Sequence, residues 1–336
     1  MTIKSGLVSI EEAVNLYERM PLSLKAGSIH PAYVKADAAR DEKLNAVFWM
    51  YQEEEYIYLH GFHTAIITNT EWQDAQSPYG YGGPLATTQD LVFLRSADKA
   101  FQRWALKNNL VAEFIRFHPI IENWKYYVAP HEFERHTTWV NCEQQDILMG
   151  YEVRQRTAIR KAIKSGVQIK WLTKNELLAL FPDFYLTAMK NINASAFYFF
   201  PESYFLAILS LPFISGAAAF LGDEVIAMSL FLEDGVGEYH LSGKSLKGAK
   251  ASASNLLIHE AALRMQANGI EKFYLGGGST TQPDDSLLFF KTGFSKNRSD
   301  FRIAKRVLIP AAYEELKRLY PERYAQFPNR ILFYRS

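Results

Sequence analysis

Short runs of alternating or continuous apolar residues, interleaved with longer stretches whose period is near 3.6, predict strands and helices mixed along the whole chain. Ser9 stands three residues before Glu12, a capping-box spacing. Ala13, Val14, Leu16 and Tyr17 then form the apolar side of a first helix that Pro21 stops. Residues 46–51 and 56–60 flank Glu53, Glu54 and Glu55 and read as a hairpin with a charged tip, which residues 63–68 extend. The segment Ser77-Pro78-Tyr79-Gly80-Tyr81-Gly82-Gly83-Pro84 breaks the pattern as a tyrosine-rich loop. A helix over 89–108 and strands over 110–117 and 137–142 follow.

In the second half, 151–165 is an amphipathic helix closed by Gly166, with Ala158, Ile159, Ala162 and Ile163 on one side and Arg156, Arg160, Lys161 and Lys164 on the other. A strand over 167–172 and helices over 176–190 and 202–210 lead to a meander of 217–221, 225–232 and 237–242, turned at Gly222-Asp223 and Asp234-Gly235. A lysine-rich loop, 243–250, precedes a helix over 253–268 that ends at Gly269. A strand over 272–275 runs into Gly276-Gly277-Gly278. Asp284 and Asp285 open a short helix that reaches Lys291, and 301–309 is a last strand. Each half thus shows a hairpin or meander, then a helix, then a strand, which points to a structural duplication with a boundary near 143–150.

At 336 residues and 48% hydrophobic composition the chain exceeds what one core usually organises, so two domains are expected, 1–145 and 146–336, with a cleft between them as the site. Thirty-seven basic against thirty-six acidic residues remove any broad electrostatic footprint for nucleic acid and leave only local patches. The single cysteine, Cys142, excludes an internal disulfide and a cysteine zinc site, and the eight histidines form no ligand motif, so no metal is expected. No stretch is apolar enough to span a membrane, so no stable membrane insertion and a cytoplasmic location are expected.

The order of elements from 217 to 309 is that of the GNAT acyltransferase core. There the loop before the main helix normally carries Gln or Arg, two residues, Gly, one residue, then Gly or Ala, and its N–H groups hold the coenzyme A pyrophosphate. Ser245-Leu246-Lys247-Gly248-Ala249-Lys250 departs from that signature at both ends. Lys244, Lys247 and Lys250 are left as possible phosphate-binding point charges or as a solvated loop.

RTAIRKAIKSG (156–166), YHLS (239–242), SNLLIHEAALRMQANGIEKFYLGGG (254–278) and FFKTGF (289–294) together resemble the Fem family, the FemABX aminoacyl and peptidyl transferases. The loop 78–84 and Arg116-Phe117-His118-Pro119 with Asn123 resemble the first domain of its shorter members. The resemblance implies an α/β (α+β) fold of two tandem GNAT-like domains, with mixed, largely antiparallel sheets flanked by helices. It implies transfer of an aminoacyl group from the 3′ ester of an aminoacyl-tRNA to an amine of a nucleotide- or lipid-linked cell-envelope precursor, with no tightly bound cofactor. An acyl-CoA-dependent N-acyltransferase acting on an amino sugar, and a non-catalytic binding module for a tRNA end or nucleotide sugar, are the competing readings.

The resemblance places Phe290 and Lys291 at the donor end; a cation answering the C-terminus of its own helix is the other role open to Lys291. His240 is the candidate for proton transfer, with a satisfied core histidine as its alternative. Tyr239, Ser242 and Gly276 to Gly278 are expected to line the substrate, the glycines by allowing close backbone approach. Tyr79, Tyr81 and Arg116 are expected on the acceptor side, by stacking and by bidentate recognition of an anion. Arg160 joins the three lysines as a possible phosphate contact.

Overall fold

The computed structural model describes residues 3–280, 282 and 284–335. By its internal contacts the chain forms two compact units, 1–134 together with 301–336, and 135–300. The first contains β1 (Ile3–Leu7), α1 (Ile10–Glu18), α2 (Pro31–Asp37), β2 (Asn45–Glu53), β3 (Tyr56–Ile66), β4 (Gln73–Gln76), β5 (Gly83–Ala86), α3 (Leu91–Lys107) and β6 (Leu110–Arg116). The second is built from β7 (Glu132–Asn141), α4 (Val153–Lys164), β8 (Val167–Trp171), α5 (Lys174–Asn191), α6 (Glu202–Leu209), β9 (Ile214–Leu221), β10 (Glu224–Asp234), β11 (Val236–Lys244), α7 (Leu246–Lys250), α8 (Ala253–Ala267), β12 (Lys272–Gly276) and α9 (Ser286–Thr292). β13 (Arg298–Val307), α10 (Pro310–Leu319) and α11 (Pro321–Gln326) end the chain.

The strands of the two units repeat one pairing order. In the first, β1, β2, β3 and β4 pair antiparallel in succession, β4 pairs parallel with β6 after the α3 crossover, and β6 pairs antiparallel with β13. In the second, β8 to β11 are antiparallel, β11 pairs parallel with β12 after α7 and α8, and β12 pairs antiparallel with β7. The duplication inferred from the order of elements is therefore present in strand pairing, and the α/β class with mixed, largely antiparallel pairing and flanking helices holds.

The compact units are divided differently from a boundary at 145/146. Strand β7 pairs with β12 of the second unit, and β13 returns to pair with β6 of the first. The reason is chemical as well as topological. Arg306 on β13 makes a bidentate pair with Asp98 of α3 at 2.7 and 3.1 Å and stands 3.5 Å from the buried Glu113 of β6. Ala312, Tyr313, Leu316, Phe333 and Tyr334 then close a core with Ile67, Val111 and Ala112. Removing these terminal residues from water is what holds 301–336 to the first unit.

Several elements escape the periodicity. Segments 3–7, 31–37 and 310–326 form β1, α2, α10 and α11, and the lysine-rich loop contains the five-residue helix α7. No helix among the described residues is long and apolar enough to cross a membrane.

Candidate active site

β11 and β12 run parallel but are registered only at Gly237 with Phe273 and Glu238 with Tyr274. Beyond those pairs the two strands have no ladder, although β11 continues to Lys244 and β12 to Gly276. Across from β11, Leu230 pairs with Leu241 and Phe231 with Tyr239, which leaves His240 as the extra residue of a β-bulge. The bulge re-aims the side chains of β11 beside the exit of β12.

The exit of β12 is built for close approach. Gly276 adopts φ +86°, a left-handed conformation that favours glycine, and a Cβ there would lie 3.1 Å from the Lys291 Nζ. The Lys291 ammonium donates to the Gly277 carbonyl at 3.0 Å and is only 9% exposed. Burial pulls its pKa down from the ordinary 10.5 to about 8, and the Asp285 carboxylate opposes that fall.

Asp285 caps α9 by accepting from Leu288 N at 2.8 Å. Its other oxygen accepts from Ser279 Oγ at 2.7 Å and from the Thr280 N–H and Oγ1 at 2.9 and 3.1 Å. These bonds hold the carboxyl well below its usual range, although partial burial works against them. A Cβ on Gly278 would fall on this carboxylate. Arg135 adds donors at 3.1 Å to the carbonyls of Gly278 and Thr280, so the loop after β12 is held from two sides.

Lys291 does not answer the C-terminal carbonyls of α9, because other groups already do. Arg154 Nη2 donates to Phe289 O at 2.7 Å, Gln155 Nε2 to Phe290 O at 2.7 Å, and the Glu152 N–H to Gly293 O at 2.9 Å. The buried Gln155 in turn accepts from Asn255 of α8. A Cβ on Gly293 would sit 2.5 Å from Gln155 Nε2, so this glycine is what lets α4 reach α9. The lysine is thereby left for the strand exit. Phe290 packs its ring 5.4 Å from Phe294, and the Lys244 ammonium lies 5.8 Å from the Phe290 centroid.

His240 Nε2 is 3.2 Å from the buried Tyr204 hydroxyl. Burial raises the Tyr239 hydroxyl, against hydrogen bonding from Ser242 and Ser229. Tyr239, His240 and Ser242 therefore lie on the bulged strand, whereas Lys291 and Gly276 to Gly278 lie at the exit of its parallel neighbour.

The lysine loop is occupied by its own structure. Ser245 Oγ caps α7 by accepting from Gly248 N at 3.1 Å, and Lys247 is paired with Glu224. Gly248 is pressed against β10 so closely that a Cβ would run into the Ile226 carbonyl. Gly248→Ala is accordingly expected to destabilise the protein by about 3 kcal/mol, the upper part of the overpacking range, because a carbonyl cannot rotate aside as a side chain can. A melting temperature unchanged from wild type would refute this. Lys244, Lys250 and Arg160 are exposed.

In the first unit, Arg116 Nη2 donates to the Pro78 carbonyl at 2.6 Å, and Arg116 N donates to Ser77 Oγ at 2.9 Å. Asn123 Nδ2 donates to Gly82 O at 2.8 Å and its Oδ1 accepts from His118 N at 2.9 Å. The Arg-Phe-His-Pro segment and the tyrosine loop are thus one construction. The Tyr79 N–H is held by the buried Asp37 at 2.8 Å, and the Tyr81 ring lies 5.0 Å from His118 and 5.7 Å from Phe301. Cys142 is buried, and burial pushes its thiol up to about 12, so it is no nucleophile at neutral pH.

Asp285, Arg135, Gln155 and Asn255 join the site only through the folded structure. Only Asp285 carried a readable signal, its place at the start of the short helix.

No family model matches the chain, and no curated protein matches it. Its fold is that of solved Fem-like structures. FemX superposes with a TM-score of 0.73 at 11% identity, covering 94% of this chain and 100% of FemX. L-PGS from Bacillus licheniformis gives a TM-score of 0.57 at 12% identity over 92% of this chain and 95% of its own. The C-terminal domain of an Agrobacterium fabrum protein assigned as a lysylphosphatidylglycerol synthetase gives 0.58 at 12% identity, with 92% and 95% covered. The chain therefore shares the fold of these structures over nearly its whole length.

Proposed function

We propose that the protein is a Fem-type acyltransferase that forms an amide, moving an aminoacyl group from the 3′ ester of an aminoacyl-tRNA to an amine of a nucleotide- or lipid-linked cell-envelope precursor. The observation that carries the reading is the buried Lys291 ammonium on the Gly277 carbonyl, at the exit of a strand that has lost its parallel partner. The likeness to FemX and to a protein assigned as a lysylphosphatidylglycerol synthetase supports an aminoacyl group as the cargo.

The ester is already activated, so the protein has to orient the amine and stabilise charge. The amine nitrogen attacks the ester carbonyl carbon, and the Lys291 ammonium pairs with the oxyanion that forms. The C–O bond to the ribose then breaks, and the proton lost by the amine passes to the departing 3′ oxygen, with His240 and Tyr204 as the relay. Tyr239, Ser242, Phe290 and Gly276 to Gly278 line the donor. Tyr79, Tyr81 and Arg116 belong to the acceptor side, where Arg116 acts by holding the tyrosine loop.

Incubation with charged tRNA and with acyl-CoA pools, followed by mass analysis of new amides, tests the proposal. Amides are expected from the tRNA pool alone. Acetyl-CoA is expected to bind no better than millimolar, because Ser245 already occupies the Gly248 N–H that a pyrophosphate would need. A micromolar constant, about −8 kcal/mol by calorimetry, or amides formed from acyl-CoA, would overturn the donor assignment. Saturable binding of tRNA with no product from any pool would reduce the protein to a binding module.

A further inference from the structure

We propose that the exposed face of α4, with the Phe289 ring at its end, is the seat of a single-stranded RNA 3′ end; this rests on the reading of the donor as a charged RNA. The chain as a whole carries a formal charge of +1, yet the twelve residues of α4 contain five cations and no carboxylate. At about 100° per residue, Arg154, Arg156, Arg160, Lys161 and Lys164 fall within an arc of about 160°. Gln155, Ile159 and Ala162 on the opposite side are buried.

Several exposed cations elsewhere are paired locally, as in Lys125 with Glu122, Lys170 with Glu176, Lys305 with Glu132 and Arg318 with Glu315, and at the start of α4 Arg154 is paired with Glu152. Among the described residues, Arg160, Lys161 and Lys164 have no such carboxylate. Arg156, Arg160 and Lys164 recur every four residues, so their backbone positions are about 6 Å apart along the helix. Such a row suits successive phosphates of one strand.

The row ends at an aromatic platform beside the candidate catalytic helix. Phe289 is 64% exposed and carries the Arg154 guanidinium 3.6 Å from its ring centroid. An aromatic surface next to a cationic track is the arrangement by which single strands are held, bases stacking while phosphates pair. Phe289 is two residues from Lys291, and Arg154 and Gln155 bond the carbonyls of Phe289 and Phe290, so a strand on α4 would end at the site. A membrane surface is the weaker fit, because an interfacial helix must insert its apolar side, and that side of α4 is already buried against α8.

The test is the salt dependence of binding of an uncharged RNA hairpin with a single-stranded CCA end, measured on the full chain. Each phosphate contact contributes about 0.7 to the slope of log K against log salt for single strands. Arg160→Gln with Lys164→Gln is expected to reduce the slope by about 1.4, and Phe289→Ala to weaken binding about tenfold. Neutralising Lys317 and Arg318 on α10 should change neither. A slope and affinity unchanged in the α4 and Phe289 variants, while wild type still makes amides from charged tRNA, would overturn the surface and leave the proposed function standing. Tighter binding to anionic vesicles than to RNA, lost in the same variants, would also overturn it in favour of a membrane contact.

Discussion

Lys291→Met should yield a folded protein whose turnover has fallen about 10²–10³-fold, the scale set by removing one preorganised oxyanion donor. Its stability should move the other way. Burial lowers the ammonium to about 8 from 10.5, so the folded chain binds that proton less tightly than the unfolded chain does. The charged group therefore opposes folding below pH 8, by about 3 kcal/mol at most, and the opposition fades as pH rises from 8 to 10.5. Methionine keeps the stem and removes the charge. The variant should melt at or above wild type at pH 7, with the difference shrinking as pH approaches 10.5. An oxyanion partner must be protonated, so wild-type kcat is expected to fall as pH rises through about 8. Lys291→Arg should recover little, since a planar fork does not reproduce a compact ammonium held on one carbonyl. A Met variant within a few-fold of wild-type turnover, or a rate that climbs through pH 8, would remove Lys291 from this role.

Asp285→Ala should be nearly as damaging to turnover, about 10²-fold, because it frees the loop on which the Lys291 ammonium rests, and a displacement of about 1 Å at a reacting group carries such a cost. It should also lower stability by about 1–2 kcal/mol through loss of the helix cap. Asp285→Asn separates the two effects. Its amide oxygen can still accept from Leu288 N, so the cap and most of the stability return. Its NH2 group would face the Thr280 N–H, donor against donor, so the loop and the turnover should not. The wild-type carboxyl is held low by its hydrogen bonds, so the stability it contributes is present at neutral pH and lost as pH falls through its folded value. Equal turnover in Asn and wild-type enzymes, measured in a single-turnover assay, would show that Asp285 only caps the helix.

Much of the second unit could be read from the chain, because local rules and tertiary structure agree there. The meander turns at Gly222 and Gly235 have positive φ, Ile159 and Ala162 of α4 are buried as its period predicts although Ile163 is exposed, and Asp285 caps the short helix. The grouping of Phe290, Lys291 and the three glycines likewise follows from a strand, a glycine exit and a helix in sequence. In the first unit the Arg116 to Asn123 segment and the tyrosine loop are each marked in the sequence, but that one holds the other is not. Helices 310–319 and 321–326 have only Pro310 and Pro321 at their first positions as a local start signal.

The sequence by itself determined which segments become strands and helices, the duplicated order of elements, and a glycine exit followed by a capped helix bearing a lysine. These depend on periodicity, caps and turn residues within a few positions of one another. Only the tertiary structure decided which strands β7 and β13 pair with, because strand pairing is settled by burial and ion pairs such as Arg306 with Asp98, whose members are 208 residues apart. It also decided the charge state and direction of Lys291. Gln155 meets Phe290 across 135 residues and Arg135 meets Gly278 across 143. Until those contacts form, the helix-end carbonyls are open to the lysine and its ammonium is in water, so neither its partner nor its lowered pKa exists in the unfolded chain.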